Sequence, residues 1–348
     1  MSTPQALGYR LPAEWEKHVA TWLSWPHNLN SWPGKFEPVP QVWADFVRIV
    51  SAAEHVHILA GQPEVYAQAQ SMVGACKNVT IHRVKTNDAW IRDHGPMFLC
   101  HPEKPPALVD WEYNAWGGKY PPFDDDNRVP GQVAEFTQRQ LFTGGMILEG
   151  GSIEPNGLGT LLVTSQCLLN PNRNTDWTKA QIEEKLRLYA NVTNILWLGE
   201  YGDGSIAGDD TDAHIDQIAR FVNANTILCA WQEDESAADY GLLAGIYEQL
   251  KTFVDQDGKP FNVIKLPLPD PIFYDGTQLP ACYCNFYIAN DTVIVPTFDC
   301  PNDERALEII GKHFPTRKTI GQRAVDLVWG LGAFHCMTMQ EVEPYSLG

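Results

Sequence analysis

"PQVWADFVRIVSAAEHVHILAG", residues 40–61, holds two periodicities in succession. In its first part Val42, Phe46, Ile49 and Val50 recur at three- and four-residue steps, the spacing of one helix face. In its second part Val56, Ile58 and Leu59 crowd together, as in a short strand. A helix followed by a strand is thereby expected, and the same order recurs along the chain. "GQVAEFTQRQLF" precedes "GGMILEGG", "WTKAQIEEKLRLYA" precedes "VTNILWLGE", and "ADYGLLAGIYEQLKTFV" precedes "NVIKLPLP". Last, "NDERALEIIGKHF" precedes "TRKTIGQRAVDLVW". In the third helix Glu183 stands four residues ahead of Arg187, the favourable order for an ion pair.

Further strand-like segments follow most of these units, among them "AWIRDHGPMFLC", "TLLVTSQCLL", "HIDQIARFV" and "NFYIANDTVIVPTF". The repeating element is therefore helix, strand and hairpin, similar in architecture but not in residues. The 27 Gly and 25 Pro fit many tight turns. Five α/β units can make a doubly wound sheet, but that fold has few hairpins. A closed ring of five units, a propeller with its helices outside, accommodates them better and leaves a central pocket.

The composition, 44% hydrophobic and 20% charged, suits a globular chain, read here as a single domain over residues 1–348. A net charge of −18 speaks against nucleic acid and anionic membranes as partners, and an acidic field draws small cations. The opening residues lack the basic and apolar regions of a signal peptide, and no apolar run reaches the ~18 residues of a membrane span. The eight cysteines are scattered without a CxxC pair, so neither a zinc ribbon nor a disulfide framework is expected, and a reducing cytoplasm is.

Chemistry-capable residues gather in four stretches. In "NDAWIRDHGPMF" a strand puts Asp88, Trp90, Arg92 and His94 on one face and Asp93 on the other. In "ILEGGS", Glu149 precedes a glycine pair that permits close backbone approach, and a simple turn explains it equally well. In "GDDTDAHIDQIARFV", Asp212, His214 and Asp216 share a face if the chain is extended. They then ligate a divalent metal, or combine a general base with a cation-binding carboxylate, or merely make a solvated strand. In "GLGAFHCMTMQ", a buried, closely packed turn is expected. Cys336 is there core filling, a metal ligand, or a nucleophile. Neighbours on a strand face opposite sides, so His335 is a poor base for Cys336, and His214 is the natural one.

Seven ordered stretches then carry a resemblance: "GYRLPAEWEKHVATWLSWP", "WIRDHGPMF", "NAWGGKY", "LEGGSIEPNGLGTLLVTSQCLLNPNRN", "DTDAHIDQIARFV", "LPACYCNFYIANDTVIVPTFDCPND" and "GLGAFHCMTMQ". From about residue 8 onward the chain resembles the bacterial-type peptidyl-arginine deiminase and agmatine deiminase family of guanidine-modifying (pentein) enzymes. The resemblance implies a five-bladed α/β propeller. It implies Cys336 as nucleophile, His214 as general acid/base, and Asp93 and Asp216 as guanidinium-binding carboxylates. Glu149 is implied as the acid supporting His214 and substrate, and Trp90 and Trp116 as pocket walls. No metal and no cofactor are implied. The implied substrate is a small cationic guanidine, agmatine first and peptidyl-arginine as the alternative, with a possible homodimer. An amidinotransferase or a non-catalytic guanidine-binding protein is a further alternative. The chain departs from the usual agmatine deiminase pattern in "GLGAFHC", where "GGGNIHC" is usual, and in Ala213, where glycine is usual. Both departures bear on the substrate's tail rather than on the guanidine chemistry.

Overall fold

The computed structural model describes residues 2–200 and 202–343. All five expected helices are present, as Val39–Val50, Val129–Thr137, Lys179–Ala190, Tyr240–Thr252 and Asn302–Gly311. The first buries Val39, Trp43, Phe46, Val47 and Val50, a stripe at helical spacing, and burial of each large side chain contributes roughly 1.5–3 kcal/mol. The third begins with a capping box, the Thr178 hydroxyl accepting from Gln181 N–H while the Gln181 side chain accepts from Thr178 N–H. Its Arg187 donates to Glu183 at 2.9 Å.

Each helix crosses between two parallel strands of one sheet. Four sheets have the same order: Met97–Leu99, Ala107–Glu112 and Leu141–Ile147; Ile153–Pro155, Thr160–Thr164 and Asn194–Leu198; Ala219–Asn223, Thr226–Trp231 and Asn262–Pro267; Tyr287–Ile288, Thr292–Thr297 and Lys318–Arg323. In each, the first two strands are antiparallel, and the helix leads from the second strand to the third, which lies parallel to it. The remaining large sheet is built alike from the two ends of the chain. Thr338–Val342 pairs antiparallel with His18–Ser24, Trp22 facing Met339, and His55–Leu59 and Val79–His82 continue in parallel. A two-stranded hairpin, Phe273–Tyr274 with Thr277–Gln278, stands apart. The fold is α/β, with five sheets of one design. Among the described residues no helix is long and apolar enough to cross a membrane.

The segments entering the first strand of each sheet are where the structure departs from the expected strands. "WIRDH" is a helical turn over Ile91–His94, so Asp93 is not simply opposite Trp90 and Arg92 on a pleat. "HIDQ" is a 3-10 turn over Ile215–Gln217. Asp212 and Ala213 before it have positive φ, so the even alternation of Asp212, His214 and Asp216 is broken. Gly150–Ser152 and Tyr283–Asn285 are 3-10 turns as well. Residues 333–337 turn back in the same way, Met337 N–H donating to Ala333 C=O. Each of the five sheets therefore opens with a single buried turn, and these turns pack on one another.

Candidate active site

The five turns supply the polar residues of one site. Cys336 and Asp93, each 5% exposed, reach the floor of a cavity of about 860 Å³. His214, Asp216 and Glu149 lie beneath that floor and are essentially inaccessible. The sulfur of Cys336 is 3.5 Å from Asp216 Oδ2. His214 Nδ1 is 3.7 Å from Asp93 Oδ1, a charge contact longer than a hydrogen bond.

Asp93 is fixed through both oxygens. Gly151 N–H donates to Oδ1 and the Trp116 indole N–H donates to Oδ2, each at 2.9 Å. Trp116 reaches it from a left-handed stretch, since Ala115 and Trp116 both have φ of 53° and Gly117 and Gly118 continue at 88° and 78°. Such backbone is costly for residues with a Cβ. Asn114 holds the stretch, its side chain accepting from Gly117 N–H and donating to Asn172 C=O. Trp90 packs against Trp32 and Trp43 and lies over Gly332, where an added Cβ would come within 2.7 Å of the indole. Both tryptophans line the cavity.

Glu149 pairs with Arg173 at 2.6 Å, both buried, and lies within 4.8 Å of His214 and Cys167. Asp212 does not join this group. It accepts from Arg173 at 2.7 Å, Asn172 at 3.0 Å and Lys119 at 2.9 Å, turned from His214 by the two positive-φ residues. The three acids and bases of the "DAHID" stretch thus do not converge as a metal-binding face. His335 lies on a buried turn, as expected of this stretch, and its ring bonds Asp216 at 2.7 Å and Glu14 at 2.8 Å rather than the cysteine.

Asn285 went unnoticed in the sequence. Its Oδ1 accepts from the backbone N–H groups of Ala333, His335 and Cys336, and its Nδ2 donates to Asp216 Oδ2 and to the Cys336 sulfur. The signal for it was positional, because it occupies in the fifth unit the turn that Asp93, Gly151, Asp216 and Cys336 occupy in the others. Gly151 makes the convergence possible. A Cβ there would stand 2.6 Å from His214 Nδ1, 2.9 Å from Asp93 Oδ1 and 3.1 Å from Asp216 Oδ2.

The electrostatics follow from burial and negative charge. Burial, then Asp216 and Asp93, push the Cys336 thiol well above its ordinary value. Burial also raises Asp93, with Asp216 and Glu149 adding to it. Burial opposes a charge on His214, but Asp93, Cys167 and Glu149 outweigh it and raise the ring well above the usual imidazole range. For Asp216 burial is likewise outweighed, chiefly by His335, and the carboxyl is held low. The thiol is therefore held toward its neutral form and the imidazole toward its charged form, among carboxylates.

The model of the Porphyromonas-type peptidyl-arginine deiminases matches residues 10–341. A Yersinia pestis protein assigned by inference as agmatine deiminase is 35% identical, covering 97% of this chain and 96% of the relative. The Enterococcus faecalis agmatine deiminase, solved catalysing its reaction, superposes with a TM-score of 0.92 at 32% identity over 99% of both chains. A cysteine-to-serine variant of the Campylobacter jejuni agmatine deiminase, with substrate bound, gives 0.87 at 34% identity over 97% of both chains. An amidinotransferase from Microseira wollei, 13% identical with a TM-score of 0.54, shares the fold alone. The chain belongs to the Porphyromonas-type peptidyl-arginine deiminase family.

Proposed function

We propose that the chain is a cysteine-dependent guanidine deiminase that hydrolyses agmatine to N-carbamoylputrescine and ammonia, a step toward putrescine. The observation that carries this reading is the Asp93–Cys336–Asp216 arrangement, with the Asp216 Oδ1 atom buried and without a hydrogen-bond partner. A carboxylate 3.5 Å from the sulfur and a second one in the same cavity lining suit the edges of a planar guanidinium, whose N–H groups pair bidentately with carboxylates. The assignment of an agmatine-type tail rests on the cavity wall. It carries Asp88, Asp126, Asp210 and Asp275, while its lysine, Lys119, is tied to Asp212. Such a wall welcomes a primary amine and opposes the carboxylate of free arginine.

The steps follow from the same groups. A guanidinium between Asp93 and Asp216 offsets the negative field on Cys336, whose proton passes to solvent through the cavity, leaving a thiolate. The sulfur attacks the guanidinium carbon. The C–N bond then breaks with its electron pair going to nitrogen, and the charged His214 ring protonates the departing ammonia. A covalent S-alkylthiouronium remains. His214, now neutral, takes a proton from water, whose oxygen adds to the same carbon. The C–S bond breaks and the ureido product leaves. Trp90 and Trp116 exclude bulk water, and Glu149 holds charge against His214. On this reading the five sheets are blades of a propeller around the site, and the chain acts as one catalytic domain, in the cytoplasm and as a homodimer.

Assaying agmatine, free arginine and an arginine-containing peptide in parallel for ammonia and ureido product tests the proposal. Agmatine is expected to be turned over fastest. Cys336→Ser is expected to lower turnover at least about 10³-fold while agmatine still binds. Near-normal turnover by that variant, or no ammonia from any guanidine, would end the reading.

A further inference from the structure

We infer that His335 is a positioning residue that fixes Asp216 for the substrate guanidinium, braced from behind by Glu14. The inference rests on the deiminase reading above. His335 is 1% exposed, and neither ring nitrogen is directed to the adjacent sulfur. Nδ1 meets Asp216 Oδ2 at 2.7 Å and Nε2 meets Glu14 Oε2 at 2.8 Å. Glu14 is itself immobilised by Arg220 at 3.0 Å, by Arg92 at 3.4 Å and by the Ile288 N–H at 2.8 Å. Arg92 also donates to the His335 carbonyl, so ring and backbone are held together.

The consequence falls on Asp216. Its Oδ2 takes the bonds from His335 and Asn285, which fixes the plane of the carboxylate. Its Oδ1 takes none, and on the deiminase reading this unpartnered oxygen receives the guanidinium placed between Asp93 and Asp216. A carboxylate without this anchor turns about its terminal bond, and a bidentate partner is lost. The side chain next to the nucleophile thus acts on binding rather than as its base.

The test measures calorimetric affinity in Cys336→Ser protein for agmatine, a guanidinium, and for N-carbamoylputrescine, its neutral ureido counterpart. His335→Leu is expected to weaken agmatine at least about tenfold and the ureido compound less than about twofold. His335→Asn, whose amide N–H replaces the Nδ1 donor, is expected to recover most of the loss. Unchanged agmatine affinity, or equal loss for both compounds, overturns the inference. Should His335→Leu not fold, Glu14→Gln decides. A loss of about threefold or more selective for agmatine supports the brace, and no selective loss overturns it. Wild-type turnover of agmatine alongside a negative result would sink the His335 role alone, whereas ammonia from none of the guanidines would sink the deiminase reading.

Discussion

Asn285 holds Cys336 at two points, accepting its backbone N–H at 3.2 Å and donating to its sulfur at 3.1 Å. The same amide spans the turn, with two further N–H groups on Oδ1 and Asp216 on Nδ2. One side chain therefore sets both the shape of the Cys336 turn and the distance between sulfur and carboxylate. Asn285→Asp keeps an acceptor for the three N–H groups but places an anion against Asp216 and the sulfur. It should leave the fold in place, as read by circular dichroism, and lower kcat/KM by at least about tenfold, because a further negative charge raises the thiol again. Unchanged kcat/KM would show that the amide donor has no part in tuning Cys336.

Gly151 permits the convergence of His214, Asp93 and Asp216 by having no side chain. The methyl of Gly151→Ala would meet all three within about 3 Å, so one or more must move. Displacements of catalytic groups by ~1 Å cost about 10²-fold in rate. Turnover should fall by that order while the melting temperature changes little. A variant of normal activity would mean that these three groups are not held in their working positions.

How much of this was visible in the sequence differs by element. The helices were legible because each repeats apolar residues at three- and four-residue steps, although in the first the buried stripe is Val39, Trp43, Phe46, Val47 and Val50, with Val42 and Ile49 half-buried at its margin. The five entry turns were not. In "WIRDH" and "HIDQIARFV" every position is buried, polar and apolar alike, so no exposed face marks where the turn ends and the strand begins. Arg92 is buried because Gln340 and the His335 carbonyl receive it, partners some 240 residues away that no local window contains. Asp212 and Ala213 take positive φ without being glycine, since Asp209 accepts the N–H groups of Thr211 and Ala213. The catalytic candidates themselves came from family resemblance, and the structure brings Cys336, His214, Glu149, Asp93 and Asp216 into one cluster.

Activity should depend on pH through His214 and Asp93 with opposite signs. His214 is raised well above the usual imidazole range, so its charged, proton-donating form persists into alkaline solution and is lost as pH rises further. Asp93 is raised by burial, so it becomes protonated, and loses its hold on a cation, at a pH above the ordinary carboxylate range. A bell-shaped kcat/KM profile is expected, with KM carrying the acid limb. A rate that climbs steadily into strongly alkaline solution would mean that thiol ionisation alone limits turnover and that His214 is not the acid.

A separate histidine group, His55, His57 and His82, lies on the sheet built from the two ends of the chain. His57 stacks on Trp22 at 4.2 Å and contacts His82 at 2.9 Å. Burial, then His55, His82 and Arg139, depress its pKa to about 3. The unfolded chain therefore binds this proton first, near the ordinary value of about 6.5. Stability is expected to be full above that value and to fall progressively as pH drops from about 6.5 toward 3. The urea midpoint of the wild-type protein should decline across that window. His57→Leu, which keeps the ring's apolar contact but has no proton to gain, should flatten the decline in its upper part. An equally steep decline in the variant would assign acid lability to other groups and leave His57 a neutral packing residue at every pH.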